Sequence, residues 1–524
     1  MSQRRSVVLA VDSGESSGIF LSQCVSVCRW DQSLISAMLQ TVARYAMICT
    51  GTCYDFGASI VLRQIHFPLA AMLRFFVLLL LVSLTHLAVA ATRPNLILIL
   101  ADDLGFGDVS YQGAPDIQTP NLDRLATQGI TFSSMRANCT VCSPTRAALL
   151  TGRYADRVGV PGVIRTSPEN SWGHLAAGVP TLADRLGHSG YHTAIVGKWH
   201  LGLQTPNTPN ERGFDFFHGF LGDMMDDYYT HLRGGINFMR KNQQTIEPRG
   251  HATELFTQWS IDYLRKRSES ADQPFFLYLA YNAPHFPIQP PADWLDRTRQ
   301  RFPDLDDKRA HNVAFVEHLD HNLGTLLEQL DALGLSQNTV VAFTSDNGGS
   351  LPHGQRNLPW RDGKQSHYDG GLRVPFIIRL TDAKRAGTTC DYAGLTFDLN
   401  ATFLELAGAK PDAETDAVSL MPILRGAAMP DAPRELYFVR REGNNRYVGS
   451  AYHAVIRGKW KLLRNDPFTP YELYDLSSDP QETENVVAKH PDVVNQLKRS
   501  LQAHIQQGGR VAWQPPMEQT AADD

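Results

Sequence analysis

The sequence predicts an α/β fold built on a largely parallel sheet, with a small antiparallel α+β subdomain at its C-terminal end. Two observations support this prediction. Continuously apolar segments, such as "LILIL" at Leu96–Leu100, alternate with segments of helical spacing. This alternation is typical of parallel strands covered by helices on both faces. From about Arg434 the pattern changes to short strands and turns, with a helix expected near residues 491–506.

The larger part of the chain contains six elements that can be assigned from their apolar patterns. In chain order they are a strand in Pro94–Asp108, a helix in Thr119–Gly129, a strand in Tyr191–Gly202, a strand in Gln273–His285, a helix in Ala314–Gly334 and a strand in Asn338–Gly349. Polar clusters follow directly after these strands. Open α/β sheets bind ligands at the carboxyl ends of their strands, so the clusters are candidate sites.

Length and composition bound the class of protein. The chain has 524 residues, 43% of them hydrophobic and 20% charged, which is enough to build one large domain and a smaller one. The net charge is -5. Because there is no basic excess to meet phosphate groups, we expect no nucleic-acid partner.

A signal-peptide pattern begins at Met72. It combines a basic residue, Arg74, with the apolar run Phe75–Val82 and the small-residue ending Ala88-Val89-Ala90. This is the plan of a secretory signal cleaved after Ala90, and the run is too short for a transmembrane helix. We therefore expect a secreted or periplasmic protein with no membrane attachment after cleavage.

The position of this signal also predicts the domain limits. A signal peptide begins at a chain terminus, so the preceding segment is interpreted as a misassigned start. The alternative is a real N-terminal extension with 75–87 as an anchor. The predicted divisions are 1–71 for that start or extension, 72–90 for the signal peptide, 91–430 for the catalytic domain and 431–515 for the C-terminal subdomain.

Three cysteines follow the cleavage site: Cys139, Cys142 and Cys390. The number is odd, so at least one is unpaired within the chain, although exported cysteines usually form disulfides. Whether Cys139 and Cys390 pair is open at this point.

Cys142 stands where a helix is expected to begin. Pro144 suits the first helical turn, and Arg146 lies one turn after Cys142 on the same face. A group on Cys142 would therefore meet the positive end of a helix and a guanidinium together, which is an anion site. The alternative is a structural cysteine, buried or in a disulfide with Cys139 or Cys390.

Two pairs of residues with side-chain oxygens, here called the acidic pairs because each contains aspartate, follow two of the predicted strands. Asp102 and Asp103 follow the first strand, and Asp346 and Asn347 follow the last. Four hard oxygen ligands suit Ca²⁺ or Mg²⁺. The alternative is that both pairs are turn residues.

Four further side chains are candidates for catalysis, although the alternative for each one alone is a solvated or hydrogen-bonded residue with no catalytic role. Lys198 and His200 lie two residues apart in "GKWH" and would point the same way if the chain were extended there. His285 ends a strand and Lys364 lies in a glycine-containing loop. A histidine pair in "EHLDH", His318 with His321, lacks a third ligand, so we interpret it as a mostly solvated helix face.

Together these residues resemble the type I sulfatase family. "CSPTRAALLTGR" is similar to the sulfatase signature, whose core is Cys-x-Pro-x-Arg. Thr145 departs from the Ser or Ala usual in the family. "GKWHLG", "FTSDNGG" and "DGGLRVP" resemble further family blocks in the family's order, and "WKLLR" with "YELYDLSSDPQETENV" resembles its C-terminal segment. The resemblance covers about residues 94–500, and its block order is similar to arylsulfatases and N-acetylgalactosamine-6-sulfatases.

The resemblance implies an alkaline-phosphatase-like sandwich that hydrolyses sulfate esters, on sulfated small molecules or oligosaccharides. It implies that a formylglycine-generating enzyme converts Cys142 to formylglycine, which is hydrated to a gem-diol. It also implies a bound Ca²⁺, with Mg²⁺ possible. The ligands it implies are Asp102, Asp103, Asp346, Asn347 and the group at position 142.

The resemblance also assigns catalytic roles. Asp346 and the metal would activate one diol hydroxyl to attack sulfur, while Arg146 and Lys198 stabilise the diol and the negative charge. In this scheme His285 and Lys364 hold the sulfate and help to protonate the departing alcohol. His200 takes the proton from the second hydroxyl as sulfate is expelled.

Three rival interpretations remain. A phosphatase or phosphodiesterase of the same superfold would use Ser or Thr as its nucleophile, with two bound zinc ions, whereas this chain has Cys142. A catalytically silent carbohydrate-binding descendant would be expected to have lost Lys, His or Cys positions that are filled here. The third is a protein left unmodified at Cys142.

Overall fold

The computed structural model describes residues 93–167, 171–270, 272–382, 384–427, 434–442, 449–512 and 514–515. All of them belong to one compact unit. The predicted start at 1–71, the signal peptide at 72–90 and its cleavage site lie outside the described residues. Among the described residues, no helix combines the length and apolar character needed to cross a bilayer.

A ten-stranded sheet forms the centre of the fold. Its strand order is β12-β2-β11-β10-β1-β9-β3-β4-β7-β8. Two further short strands, β5 (Leu232–Arg233) and β6 (Ile236–Asn237), pair with each other outside it. The strands of the large sheet are β1 (Asn95–Ala101), β2 (Ile130–Phe132), β3 (His192–Lys198), β4 (Phe216–Phe220), β7 (Met239–Lys241), β8 (Gln244–Thr245), β9 (Phe275–Ala280), β10 (Thr339–Ser345), β11 (Phe376–Arg379) and β12 (Thr388–Cys390).

The middle of this sheet is parallel, as the sequence predicts. β1 pairs in parallel with β10 and β9, and β3 pairs in parallel with β9 and β4. β1, β9 and β10 are buried along their whole length, which requires cover on both faces. Towards the edges the sheet is mixed, because β11 and β7 run antiparallel to their neighbours.

Ten α-helices accompany the two main sheets in the described part of the chain. They are α1 (Pro120–Gln128), α2 (Cys142–Thr151), α3 (Leu182–His188), α4 (Ala252–Ser268), α5 (Ala292–Arg301), α6 (Asp307–Ala332), α7 (Asp369–Leu372), α8 (Asp398–Leu406), α9 (Met421–Leu424) and α10 (Pro491–Gly508).

Local sequence explains where the helix that carries Cys142 begins and ends. Val141 before it is extended, and Pro144 fits the first turn, where no intrahelical N–H bond is needed. Gly152 ends the helix in the left-handed region at φ 68°, and its N–H donates to Ala148 O. The ten residues of α2 are all buried.

A four-stranded antiparallel sheet follows, in the order β13 (Leu436–Arg441), β14 (Ala451–Arg457), β15 (Trp460–Arg464) and β16 (Glu472–Asp475). Leu497 and Leu501 of α10 pack on its Val455, Leu462 and Leu473. The predicted antiparallel α+β character of this region is therefore confirmed. The division at residue 430 stays a prediction.

Candidate active site

The two predicted acidic pairs meet at one edge of the sheet. Ala101 is paired with Ser345 in the β1–β10 register, so the residues that follow leave the sheet side by side. Asp103 turns at a positive φ of 66°, and its N–H donates to Asp346 Oδ1 at 3.1 Å. Asn347 Nδ2 donates to Asp103 Oδ1 at 2.7 Å.

Two buried cations lie against this acidic cluster. Arg146 of α2 donates to Asp346 Oδ2 from Nε at 3.1 Å and from Nη2 at 2.8 Å, and Nη2 lies 3.5 Å from Asp102 Oδ2. Lys198, at the end of β3, donates from Nζ to the same Asp102 oxygen. These side chains are fully buried, so charge compensation is required for each of them.

The acidic groups differ in their proton affinity. Burial raises the pKa of Asp102, but Lys198, His285 and Arg146 outweigh it and hold the pKa below the usual range. Burial and the neighbouring Asp102 charge raise the pKa of Asp346 to about 7, although Arg146 opposes them. The cluster thus contains more negative charge than its two closest cations stabilise.

The unsatisfied oxygens of this cluster fit a hard divalent cation. Asp102 Oδ1 and Asn347 Oδ1 are buried without a hydrogen-bond partner. Carboxylate oxygens of Asp102, Asp103 and Asp346 lie within 4.8 Å of one another. Ca²⁺ and Mg²⁺ both prefer such oxygen donors, and the donor set does not distinguish between them.

Cys142 lies at the first turn of α2 and lines a cavity of about 210 Å³. Its side chain is nearly buried, and burial raises the pKa of the thiol to about 11 against the opposing charges of Lys198 and Lys364. The thiol, a carboxylate oxygen of Asp102 and a ring nitrogen of His285 lie within 4.8 Å of one another. The thiol therefore lies next to both the acidic cluster and His285.

Lys364 and His285 line the same cavity. Lys364 Nζ donates to Asp103 Oδ2 at 2.7 Å, and His285 Nε2 lies 3.6 Å from that oxygen. His285 Nδ1 donates to Phe286 O at 2.6 Å, which leaves Nε2 facing the cavity. Burial and the charge of Lys364 lower the pKa of His285, while Asp103 raises it.

His200 forms hydrogen bonds with different residues from those that Lys198 contacts. The extended geometry considered for "GKWH" is wrong, because His200 has a positive φ of 61°. His200 Nε2 contacts Ser143 Oγ at 2.8 Å and also Ile164 O, which can only accept, so the proton is on Nε2. Nδ1 is buried without a hydrogen-bond partner, and burial with the charges of Lys198 and Arg146 lowers the pKa of this imidazole, so the ring is neutral and Nδ1 keeps a free lone pair.

The cavity mouth contains residues that the sequence did not single out. Asp223, Met224 and Arg233 come from the segment 222–235, and Arg165 and Arg440 come from distant segments. The Nε atom of Arg233 donates to Asp223 Oδ1 at 2.9 Å. Glu442 contacts both Arg165, at 3.0 Å, and Arg440, at 2.9 Å.

Two other expectations can be compared with the structure. Cys139, Cys142 and Cys390 are buried free thiols, so Cys139 and Cys390 do not pair here. The solvated face expected for His318 and His321 is wrong for His318, which is 1% exposed and lies 3.2 Å from Glu254. The reason is that α6 packs against α4, which carries Glu254.

Comparison with known proteins gives consistent matches. Residues 94–409 match the family model described as Sulfatase, and residues 358–507 match that of N-sulphoglucosamine sulphohydrolase, C-terminal. N-acetylgalactosamine-6-sulfatase of Mus musculus is 34% identical over 410 residues, which cover 73% of this chain and 74% of the relative. N-acetylgalactosamine-6-O-sulfatase of Bacteroides thetaiotaomicron is 28% identical over 496 residues, covering 78% and 93%.

Solved structures agree on the architecture. The crystal structure of Ps i-CgsB in complex with k-i-k-neocarrahexaose has a TM-score of 0.74 and 29% identity, and covers 81% of this chain and 95% of that one. Phosphonate Monoester Hydrolase of Agrobacterium radiobacter shares the fold at a TM-score of 0.59 and 20% identity, covering 79% and 96%. The fold is thus the predicted alkaline-phosphatase-like sandwich, and the family match over residues 94–409 shows that this chain is an enzyme of the sulfatase family.

Proposed function

We propose that this protein hydrolyses sulfate esters of carbohydrates, with formylglycine at position 142 and one bound divalent cation. The observation that carries the proposal is the position of Cys142. It lies at the positive end of a helix, in a cavity that Lys364 and His285 also line, beside an acidic cluster with unpartnered oxygens. A tetrahedral anion bound there would meet cations on one side and a reactive group on the other.

Formylglycine explains why a cysteine occupies this position. When hydrated, it would supply two hydroxyl groups on one carbon. One would bond to sulfur while the alcohol takes up a proton and leaves, and the other would give up its proton when the C–O bond to sulfate breaks and the aldehyde is restored. Both steps are then intramolecular or between held groups, which is a large kinetic advantage. A divalent cation held by Asp102, Asp103, Asp346 and Asn347 supplies positive charge for the sulfate oxygens and lowers the pKa of a nearby hydroxyl.

The residues around position 142 take distinct roles in this proposal. Arg146 and Lys198, both buried, hold the acidic cluster in place and stabilise the negative charge that develops at position 142. His200 Nδ1, the unpartnered nitrogen, accepts the proton that is released when sulfate departs.

Lys364 and His285 face the transferred group from the opposite side. Lys364 binds a sulfate oxygen and protonates the departing alcohol together with His285. His285 can donate from Nε2 only as an imidazolium, since its Nδ1 proton is held by Phe286 O. A bound sulfate and Asp103 both favour that charged form.

The mouth of the cavity supports a carbohydrate substrate. The Arg233–Asp223 pair and the guanidinium of Arg440, which Glu442 holds in place, present donors and an acceptor in fixed positions, which is what sugar hydroxyl groups require. Two relatives are named N-acetylgalactosamine-6-sulfatase and N-acetylgalactosamine-6-O-sulfatase, and the similar Ps i-CgsB was solved in complex with k-i-k-neocarrahexaose, so we infer a sulfated sugar as the substrate. We also propose that the protein is secreted or periplasmic and matured by a formylglycine-generating enzyme.

The test is an assay on protein co-expressed with that enzyme. Sulfated galactosamine, carrageenan oligosaccharides and matched phosphate esters are compared side by side, after the mass of the peptide with residue 142 has been measured. We expect sulfate release from a sugar and little phosphate release. Preferential phosphate release would favour the rival phosphatase. The Lys364→Ala variant should lose nearly all sulfate release. The control variant Lys384→Ala, which changes an exposed lysine, should keep its activity.

A further inference from the structure

A buried tyrosine outside the predicted site holds the segment that carries His285. Tyr228 is 1% exposed. Its hydroxyl lies 2.7 Å from Asn282 O and 2.9 Å from His285 O, and it donates to these two carbonyl groups. The two acceptors flank the turn between β9 and His285, so a single hydroxyl fixes both ends of that turn.

A second contact ties the same two segments together. Gln289 Oε1 accepts from Tyr228 N at 2.7 Å, and Gln289 Nε2 donates to Asp227 Oδ2 at 2.8 Å. The segment 282–289 is therefore held to residues 227–228 on both sides of His285.

The tyrosine also belongs to the segment that forms the cavity mouth. Asp223, Met224 and Arg233 line the cavity beside His285, and Tyr228 lies between them in sequence. Arg233 Nη1 contacts Asp226 Oδ1 at 2.7 Å, which closes this segment on itself. The position of His285 relative to the mouth is thus set through residues 226–228.

We propose that Tyr228 is a positioning residue for His285, acting through its hydroxyl bonds to Asn282 O and His285 O. This inference rests on the proposed function, in which His285 contacts the transferred group. Tyr228 itself does not touch the reacting atoms. It fixes the position of the His285 imidazole relative to the leaving alcohol, which in the proposed function contacts Asp223 and Arg233.

The hydroxyl can be separated from the ring experimentally. The ring of Tyr228 stacks on His251 at 5.2 Å and packs edge-on against Phe315 at 4.9 Å, and a phenylalanine keeps both contacts. Tyr228→Phe therefore removes only the two hydrogen bonds. Tyr229→Phe is the matched control, because Tyr229 is the next residue and is 44% exposed.

The experiment compares Tyr228→Phe, Tyr229→Phe, His285→Ala and the double variant Tyr228→Phe/His285→Ala, each as metal-loaded enzyme with measured formylglycine content. The substrates are a sulfated sugar, whose alcohol is a poor leaving group, and nitrophenyl sulfate, whose alcohol leaves readily. We expect Tyr228→Phe to lower kcat on the sulfated sugar by roughly tenfold and to lower kcat on nitrophenyl sulfate much less. His285→Ala should show the same difference between the two substrates, with larger losses. In the double variant, the added Tyr228→Phe change should not lower kcat below that of His285→Ala alone.

A second measurement does not depend on activity. Amide hydrogen exchange of the peptide covering 282–289 should be faster in Tyr228→Phe than in Tyr229→Phe. The proposal is overturned if this exchange is unchanged, if both substrates lose activity equally, or if the double variant shows additive losses. If the wild-type enzyme cleaves phosphate esters instead, the proposed function fails, and the same comparison on two phosphate esters still tests Tyr228.

Discussion

Arg146 binds Asp346 through two of its nitrogen atoms, Nε and Nη2, while Nη2 also lies 3.5 Å from Asp102. A lysine has one charged nitrogen and cannot make both contacts with Asp346. The guanidinium thus links the two acidic pairs that follow β1 and β10. It also joins the helix that carries Cys142 to the acidic cluster.

Replacement of Cys142 should remove activity without unfolding the protein. Cys142→Ala is expected to release no sulfate, because no formylglycine can form, and to lose about 1 kcal/mol of stability or less. Cys139→Ala is the control, since Cys139 is also a buried free thiol three residues earlier. The measurements are sulfate release, peptide mass and melting temperature. Full activity in Cys142→Ala would contradict the proposed function.

Removal of the divalent cation should abolish hydrolysis reversibly. A chelator is expected to stop sulfate release, and added Ca²⁺ or Mg²⁺ to restore it. Asn347→Ala removes an unpartnered Oδ1 and the donor to Asp103, so affinity should fall at least about tenfold. Calorimetric titration of the metal-free protein measures this directly. Equal affinity in Asn347→Ala and wild type would remove Asn347 from the ligand set.

His251 should make the free energy of unfolding fall in mild acid. Its Nδ1 accepts from Thr253 N at 3.2 Å at the start of α4, and its Nε2 donates to Gln289 O at 3.0 Å, so the folded protein needs neutral imidazole. Burial and the charge of His318 lower its pKa from 6.5 to about 4. Above pH 6.5 neither state binds this proton. Between the two values only the unfolded state does, so stability drops by up to about 1.4 kcal/mol per pH unit.

His251→Asn tests this pH dependence, because asparagine also caps helices and does not titrate. Its free energy of unfolding, measured by denaturant at several pH values between those two limits, should change less with pH than that of the wild type. Parallel pH profiles for the two proteins would show that His251 does not cause the loss.

Asp369 should stabilise the contact between the C-terminal sheet and the rest of the chain. It accepts from Arg136 Nε at 3.0 Å, Arg373 Nε at 2.7 Å and Lys461 Nζ at 2.7 Å. Asp369→Asn leaves these buried cations poorly compensated and is expected to cost about 3–5 kcal/mol.

The control for Asp369 is Asp382→Asn. Asp382 forms an exposed pair with Lys384 at 3.9 Å, which should contribute about 1 kcal/mol or less. Denaturant unfolding of both variants with the same metal present provides the comparison. Similar losses of unfolding free energy in the two variants would mean that the buried Asp369 carboxylate stabilises the protein no more than the exposed Asp382 carboxylate does.

The sequence predicted the central strands and the cluster at their ends because both signals are local. "LILIL" and "VVAF" are apolar in every position, and the acidic residues follow within three positions. The parallel register that brings Ala101 beside Ser345 is then a consequence of strand packing. The antiparallel strands β7 and β11 escaped prediction, since they have only three and four residues and little period to detect.

The partners of the candidate catalytic residues could not be predicted in the same way. The positive φ of His200, which turns it towards Ser143, leaves no mark in the sequence. The burial of His318 depends on α4 packing against α6. Tyr228 and His285 are 57 residues apart, and only the folded chain shows that one donates to the other.

Arg440 lines the cavity although it belongs to β13, nearly three hundred residues after Cys142, and it donates to Gln365 O at 3.0 Å. Part of the wall of the candidate site is thus built by the C-terminal sheet. An exchange of that segment between related enzymes would transfer a share of substrate preference without altering the reacting groups. Evolution could diversify what this enzyme accepts by changing its C-terminal sheet, while the candidate reacting groups, all in the preceding domain, stay the same.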